Sequence, residues 1–357
     1  MRRKHLGFLV AGLVLVGSGT VVSVQWQGGE NTLSMCEGAV QEEPLRELLG
    51  DEPMVADDGD SATDAGEAAD LAHCSAESSD GAQKLTVEVG TSQAASRILH
   101  LSRHDRLWSS VSAASPLGEG VPAAMTTMTP DSHVTMRLRC SSGRHQEILV
   151  DVGHGIYSGD TRKYDRARDR ARFARAAAAI AEGVSRKEKC GAEIAPGNVV
   201  APADFSAEEA EPLDRATGTC RPLRPLADEA EKWGIRRAVG SPAFSTAPMQ
   251  DCLLLDGNGR KVYRLSALYG HLADAYRQSQ LDGRRSGRAD GDGEAGGWAW
   301  ASSGCPDGEP SALVTAAANG YPDDKDRVTV SSGFERKLLR SFGTVAEQRK
   351  CEVLSAP

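Results

Sequence analysis

Val134-Thr135-Met136-Arg137-Leu138-Arg139-Cys140 alternates strictly between apolar and polar side chains, and Ser141-Ser142-Gly143 turns it toward Ile148-Leu149-Val150-Asp151-Val152. A period of two, a polar turn and a second β-branched run form the pattern of an antiparallel hairpin. Farther along, Phe173, Ala177, Ile180 and Val184 recur at i, i+4, i+7 and i+11, the apolar stripe of an amphipathic helix. Paired strands followed by a helix predict an α+β fold, a small antiparallel sheet with helices on one face.

The same order returns nearer the C-terminus. Trp298-Ala299-Trp300, a Cys305-Pro306-Asp307-Gly308 turn and Leu313-Val314 precede a stripe of Phe334, Leu338 and Val345. The eight cysteines carry the repeat through the chain. Cys36, Cys74, Cys140 and Cys190 are separated by 38, 66 and 50 residues, and Cys220, Cys252, Cys305 and Cys351 by 32, 53 and 46. Gly155 and Gly320 each follow a third cysteine by 15 residues, and Phe173 and Phe334 each precede a fourth by 17. Ser-Ser-Gly accompanies both third cysteines, and a His-Leu pair follows both second ones at His100-Leu101 and His271-Leu272. Such self-similarity reads as two tandem copies of one unit. In each copy a short helix is expected after the first cysteine, at Pro44–Leu49 and Pro225–Trp233. A strand is expected after the second, at Leu85–Val89 and Val262–Leu265.

The expected domains follow. Residues 1–25 form a cytoplasmic tip and transmembrane signal anchor, and 26–190 the first extracytoplasmic unit with a mobile acidic insertion at 51–70. Residues 191–219 form a linker, and 220–357 the second unit with a mobile loop at 282–297. Four cysteines in a unit allow three pairings. First with second and third with fourth is the expected pairing. No C-x-x-C pair is present, so disulfides are favoured over zinc or thioredoxin-type chemistry.

Location is read from the N-terminus. After Met1-Arg2-Arg3-Lys4-His5, Leu6 to Val24 carries no charge. As a helix it would span about 28 Å, close to the ~30 Å hydrocarbon core, so these residues are the expected contact with the lipid bilayer. Val22-Ser23-Val24-Gln25-Trp26 offers no small-residue cleavage site, which favours an uncleaved anchor over a cleaved signal, and Trp26 suits the interface. Met35 before Cys36 breaks a lipoprotein signal. The first basic residue after the span is Arg46, which leaves the N-terminus inside and the remainder outside.

Composition narrows function by exclusion. The 357 residues carry 41 Lys+Arg against 50 Asp+Glu, a net charge of −9, which argues against a nucleic-acid partner. Gly291-Asp292-Gly293-Glu294-Ala295-Gly296 matches a dinucleotide fingerprint in letters but lacks the flanking strand and helix, so no cofactor is expected. Asp290, Asp292 and Glu294 fall short of a calcium loop, because Ala295 and Ala301 occupy the turn-glycine and bidentate-glutamate positions. His100 and His104 share a helical face but lack a third ligand, so no metal is expected. The arginines from Arg162 to Arg175, Arg170 among them, interleave with Asp160, Asp165 and Asp169 and read as a solvated, ion-paired face. The one catalytic candidate is Asp151 with His154 in Asp-Val-Gly-His-Gly, an acid/base pair at a strand end. Counted from the third cysteine, its counterparts in the second copy are Ala316 and Asn319.

Arginine outnumbers lysine 31 to 10, and Ala, Gly and Asp abound. With the basic start, single apolar span and paired two-cysteine-pair units, the chain resembles the single-pass membrane-anchored extracytoplasmic proteins of Streptomyces-type actinobacteria. Its units are distantly similar to sensor-type and lipoprotein domains of that group. The resemblance covers the architecture of residues 1–351 and implies an envelope protein, carrying no catalytic residue over. The expected role is a binding or scaffold module of the cell envelope with an envelope protein or wall polymer as partner. The alternative is an extracytoplasmic hydrolase using Asp151 and His154.

Overall fold

The computed structural model describes residues 35–50, 54–57, 70–102, 113–127, 130–194, 196–281, 291–292, 297–305, 312–320, 324–347 and 349–351. Leu6–Val24 and His104 lie outside them, as do most of 51–70 and 282–297. Among the described residues no helix is long and apolar enough to cross a membrane.

The first unit runs α1 (Glu42–Leu49), β1 (Met54–Asp57), β2 (Asp70–Ser78), β3 (Gln83–Gly90), α2 (Ala95–Leu101), β4 (Ala114–Pro116), β5 (Ala123–Thr127), β6 (Asp131–Arg139), β7 (Glu147–Ile156) and α3 (Ala167–Lys187). The second runs β8 (Glu211–Pro212), α4 (Ala227–Glu231), β9 (Ile235–Gly240), β10 (Met249–Asp256), β11 (Lys261–Tyr269), α5 (His271–Tyr276), β12 (Gly291–Asp292), β13 (Trp298–Ser303), β14 (Ala312–Ala318) and α6 (Ser332–Glu347). Each unit holds one antiparallel sheet of seven strands. The orders are β1-β2-β3-β7-β6-β5-β4 and β8-β9-β10-β11-β14-β13-β12. Five consecutive strands correspond, β1-β2-β3-β7-β6 with β9-β10-β11-β14-β13, and the extra strands lie at the edges.

Pairing registers fix the correspondence residue by residue. Cys74 faces Val87, which faces Val152, which faces Val134. Cys252 faces Leu265, which faces Ala316, which faces Ala299. The disulfides are Cys36–Cys74, Cys140–Cys190, Cys220–Cys252 and Cys305–Cys351, all within units and in the order expected. In each unit one ties the N-terminal segment to the second core strand. The other ties the end of a central strand to the chain just past the closing helix.

Some local expectations change. The second cysteine of each unit lies inside a strand, in β2, where small residues such as Ala72, Ser75 and Ala76 pack against β3 without alternating, and in β10, where Leu253-Leu254-Leu255 is apolar on both faces. Residues 218–226 form a 3-10 helix, since Pro222 and Pro225 deny α-helical hydrogen bonds, and only α4 continues as α-helix. The His-Leu pairs do not correspond, for His100 ends α2 whereas His271 begins α5. Met54–Asp57, within the expected insertion, forms an edge strand. Residues 191–219 are more than a spacer. Phe205, Ala210 and Leu213 are buried, and β8 extends the second sheet.

Helices cover the outer face of each sheet as expected. Leu45, Leu48 and Leu49 of α1 and Phe173, Ala177, Ile180 and Val184 of α3 bury the first, and Phe334, Leu338 and Val345 of α6 with Leu223 the second. The inner faces are not left to solvent. Between them the equivalent helices α2 and α5 pack together, Ile98 and Leu99 joining Leu149, Leu268, Leu272, Tyr276, Trp298, Trp300 and Leu313 in a shared core. Helices thus lie on both faces of each sheet, because the two units share their second core.

One close contact sets a testable sign. A Cβ on Gly183, one turn before the end of α3, would lie 2.0 Å from the Ala39 carbonyl oxygen. Glycine to alanine in a helix interior ordinarily stabilises by about 1 kcal/mol. Here Gly183→Ala should instead destabilise by about 1–3 kcal/mol, as overpacking does. A urea midpoint that rises in the variant would refute the contact.

Candidate functional site

Side chains alternate across a strand, so registers decide which polar groups of the first sheet meet. Thr135 faces Asp151 and His133 faces Gly153 across β6 and β7, while Glu88 faces Asp151 across β3 and β7. These residues share the inner face. Asp151, 1% exposed, accepts hydrogen bonds from Thr135 Oγ1 at 2.7 Å and His133 Nδ1 at 2.8 Å. One strand over, Glu88 bonds to both His73 and Arg97, and the Glu88 contact holds the His73 imidazole above its usual range. Farther along β6, buried Arg137 pairs with Glu147 at 2.6 Å and lies against Gly270 of the second unit. Each buried carboxylate of this layer thus has a cationic or hydrogen-bonding partner, as a low dielectric demands.

His154 is not part of that layer. Three residues from Asp151 on β7, it points to the opposite face, where it bonds to the Tyr164 hydroxyl and packs edge-on against Phe173 at 5.8 Å. Burial, with Lys163 nearby, pushes its imidazole down to about 3. The expected Asp151–His154 pair therefore does not form. Asp151 takes His133 instead, and His154 belongs to the outer core.

The register also corrects the counterparts. With Val152 equivalent to Ala316, Asp151 corresponds to Thr315 and His154 to Ala318, each one residue earlier than the cysteine count gave, because the second hairpin connection is one residue shorter. Glu88 then corresponds to Ser266, His133 to Trp298, Thr135 to Trp300 and Gly153 to Ala317. The His–Asp dyad is absent from the second unit, where Trp298 and Thr315 take its place and Trp298 and Trp300 join the inter-unit core.

Where the first unit keeps its dyad, a cleft of about 390 Å³ opens, with His133, Lys84, Thr86, His100 and Asp131 in its walls. Its floor depends on two glycines of Asp-Val-Gly-His-Gly. A Cβ on Gly153 would lie 2.6 Å from Thr86 Oγ1 and 2.8 Å from His133 Cε1. One on Gly155 would lie 2.5 Å from the Tyr157 hydroxyl and 2.6 Å from Asp131 Oδ1. Tyr157 donates to Asp131 at 3.0 Å, and partial burial with that carboxylate pushes the phenol up to about 12. Chemically, Asp151 fixes the orientation of the His133 ring and so holds the imidazole in the cleft wall.

The remaining candidates separate. His100 lines the cleft from α2, whereas its expected partner His104 lies outside the described residues. Gly291 and Asp292 form the short edge strand β12, and 293–296 lie outside the described residues. Arg162 and Arg166 pair with Asp165, Asp160 and Asp169 as expected. Arg170 departs from the solvated face. It is buried, donating to the carbonyls of Pro202, Tyr164 and Asp165, because helix α3 turns that position toward the 196–204 segment. A second hollow of about 480 Å³ is rimmed by Asp165, Asp204, Glu209 and Glu211. Among the described residues, however, no three His, Cys, Asp or Glu side chains are placed to hold a metal ion.

His133, Glu88, Asp131 and Tyr157 escape a reading by motif. The signal that could find them is the hairpin register, which sets His133 diagonal to Asp151, together with glycines at alternate positions 153 and 155 of a strand.

No family model matches the sequence, and no curated protein or solved structure is significantly similar to it.

Proposed function

We propose that the protein is a single-pass, membrane-anchored extracytoplasmic binding protein in which the first unit carries the ligand cleft and the second is its structural partner. One observation carries the reading. At register-equivalent positions the first unit keeps His133 and Gly153 around an open cleft, while the second places Trp298 and Ala317 in a packed core. Four disulfides favour an oxidising compartment. The uncharged stretch Leu6–Val24 favours an anchor. The partner on this reading is envelope material, a wall polymer or an envelope protein, and not nucleic acid. A hydrolase built on Asp151 with His154 loses its geometry, since the two side chains face opposite sides of β7.

A photo-crosslinking residue at His100, beside the cleft, should capture envelope material in growing cells. One at Arg336, on α6 of the second unit, should not. The His100 adduct should vanish in Gly155→Val, which fills the cleft floor. Equal adducts at both positions, or adducts indifferent to Gly155→Val, would overturn the assignment. Protease added outside intact cells should digest the protein, and recovery from the cytosol with free thiols would overturn the location.

A further inference from the structure

We infer that the first-unit cleft recognises a saccharide, with a sugar ring stacked on Tyr157; this rests on the binding reading above. Among the described residues Tyr157 is the only aromatic side chain in the exposed class, 53% exposed while the other aromatics are buried or half-buried. An exposed aromatic ring leaves apolar surface in water that a ligand face can cover. This ring is also held in place. Its hydroxyl is fixed by Asp131, and its tip lies directly over Gly155, where any side chain would displace it. A preorganised aromatic surface loses little conformational entropy on binding.

The chemistry around the ring is mixed. Lys84 carries donors, Asp131 acceptors and the Thr86 hydroxyl both, with His100 and His133 in the same wall. A sugar presents an apolar C–H face and an equatorial fringe of hydroxyls that each donate and accept. That matches a ring flanked by both donors and acceptors. A small anion would need donors alone and would be opposed by the Asp131 carboxylate. A lipid or apolar ligand would offer no hydrogen bonds to this polar wall and would cost it hydration. The second unit has Ala317 and Asn319 where the first has Gly153 and Gly155, so it lacks the same floor and is assigned no saccharide.

The test uses the full-length protein and soluble probes: chitotetraose, cellotetraose and maltotetraose, with inorganic phosphate and acetate as anions. Calorimetric titration should show binding of at least one tetrasaccharide, and saturation-transfer NMR should place its ring protons against protein. Tyr157→Ala should weaken that binding about tenfold. Tyr157→Phe, which keeps the ring and loses only the hydroxyl, should weaken it less than about threefold. Thermal midpoints of both variants are measured beside the affinities, and the Phe variant keeps the test valid if the Ala variant unfolds. Binding of phosphate or acetate with no tetrasaccharide, or tetrasaccharide binding indifferent to Tyr157→Ala, would overturn the saccharide assignment while leaving the cleft a binding site. Loss of the cleft-dependent adduct at His100 would instead overturn the binding reading itself.

Discussion

Lowering the pH from 7 toward 4 should cost the folded protein several kcal/mol, and His154→Leu should remove most of that loss. His154 is fully buried against Tyr164 and Phe173, and its pKa falls from 6.5 in water to about 3 in the fold. Its Nε2 is buried with no hydrogen-bond partner among the described residues, so an imidazolium there would carry an unsatisfied donor. A depressed histidine is protonated in the unfolded chain before it is in the folded one. The stability it supports is therefore complete above pH 6.5 and is lost as the pH falls toward 3. At ~1.4 kcal/mol per pH unit below 6.5, the loss is about 3 kcal/mol at pH 4 and on the order of 5 kcal/mol once the folded pKa is reached. His73, raised by Glu88, acts with the opposite sign, stabilising at low pH and losing that contribution as the pH rises through its folded pKa. It is common to wild type and variant, so their difference isolates His154. Urea midpoints measured between pH 4 and 7.5 provide the check, and parallel pH profiles for the two proteins would refute the assignment.

Cys140→Ser with Cys190→Ser should destabilise the protein by about 4 kcal/mol, the chain-entropy value for a loop of this length. The bond spans 50 residues and joins the end of β6 to the chain just beyond α3. That closure holds the helix over the sheet, since Phe173, Ala177 and Ile180 lie on the strands it covers. The matching Cys305–Cys351 bond spans 46 residues in the second unit, so its removal should cost nearly as much. Calorimetry of the two double variants should show thermal midpoints lowered by roughly 10 °C, given ~2–4 °C per kcal/mol in a protein of this size. Midpoints within a degree of wild type would show that the sheets and the shared core hold the fold unaided.

Much of this architecture is legible in the sequence. Cysteine spacing carries the duplication, and alternation at Val134–Arg139 and the stripes from Phe173 and Phe334 carry the central hairpin and closing helices. The strand bearing Cys74 is less visible, since small residues pack well there without alternating, and so is the strand bearing Cys252, because Leu253-Leu254-Leu255 is apolar on both faces. The site is harder to read because it depends on register. Asp151 and His154 are neighbours in the chain, yet a strand sends them to opposite faces, whereas His133 lies eighteen residues away and reaches Asp151 through one diagonal step between β6 and β7. A one-residue difference in hairpin length likewise shifts the apparent counterpart of Asp151 from Thr315 to Ala316.

The two cores also show how a repeated unit changes without losing its packing. In the first, Leu85 faces His154 across β3 and β7, and in the second, Tyr263 faces Ala318 across β11 and β14. A bulky polar-tipped ring occupies one side of the step in each, with its polar atom bonded to Tyr164 or to Glu335. A buried ring is kept across the step while the strand that supplies it changes.

The contact of α2 with α5 has a further consequence. In an isologous homodimer every substitution appears twice, so a residue that opens a hollow in one subunit opens it in both and loosens the seam from two sides. Fusion into a single polypeptide breaks that symmetry. On the binding role proposed above, one half is then free to specialise as the receptor and the other as its keel, and a ligand-to-chain stoichiometry of one is the expected mark of that division of labour.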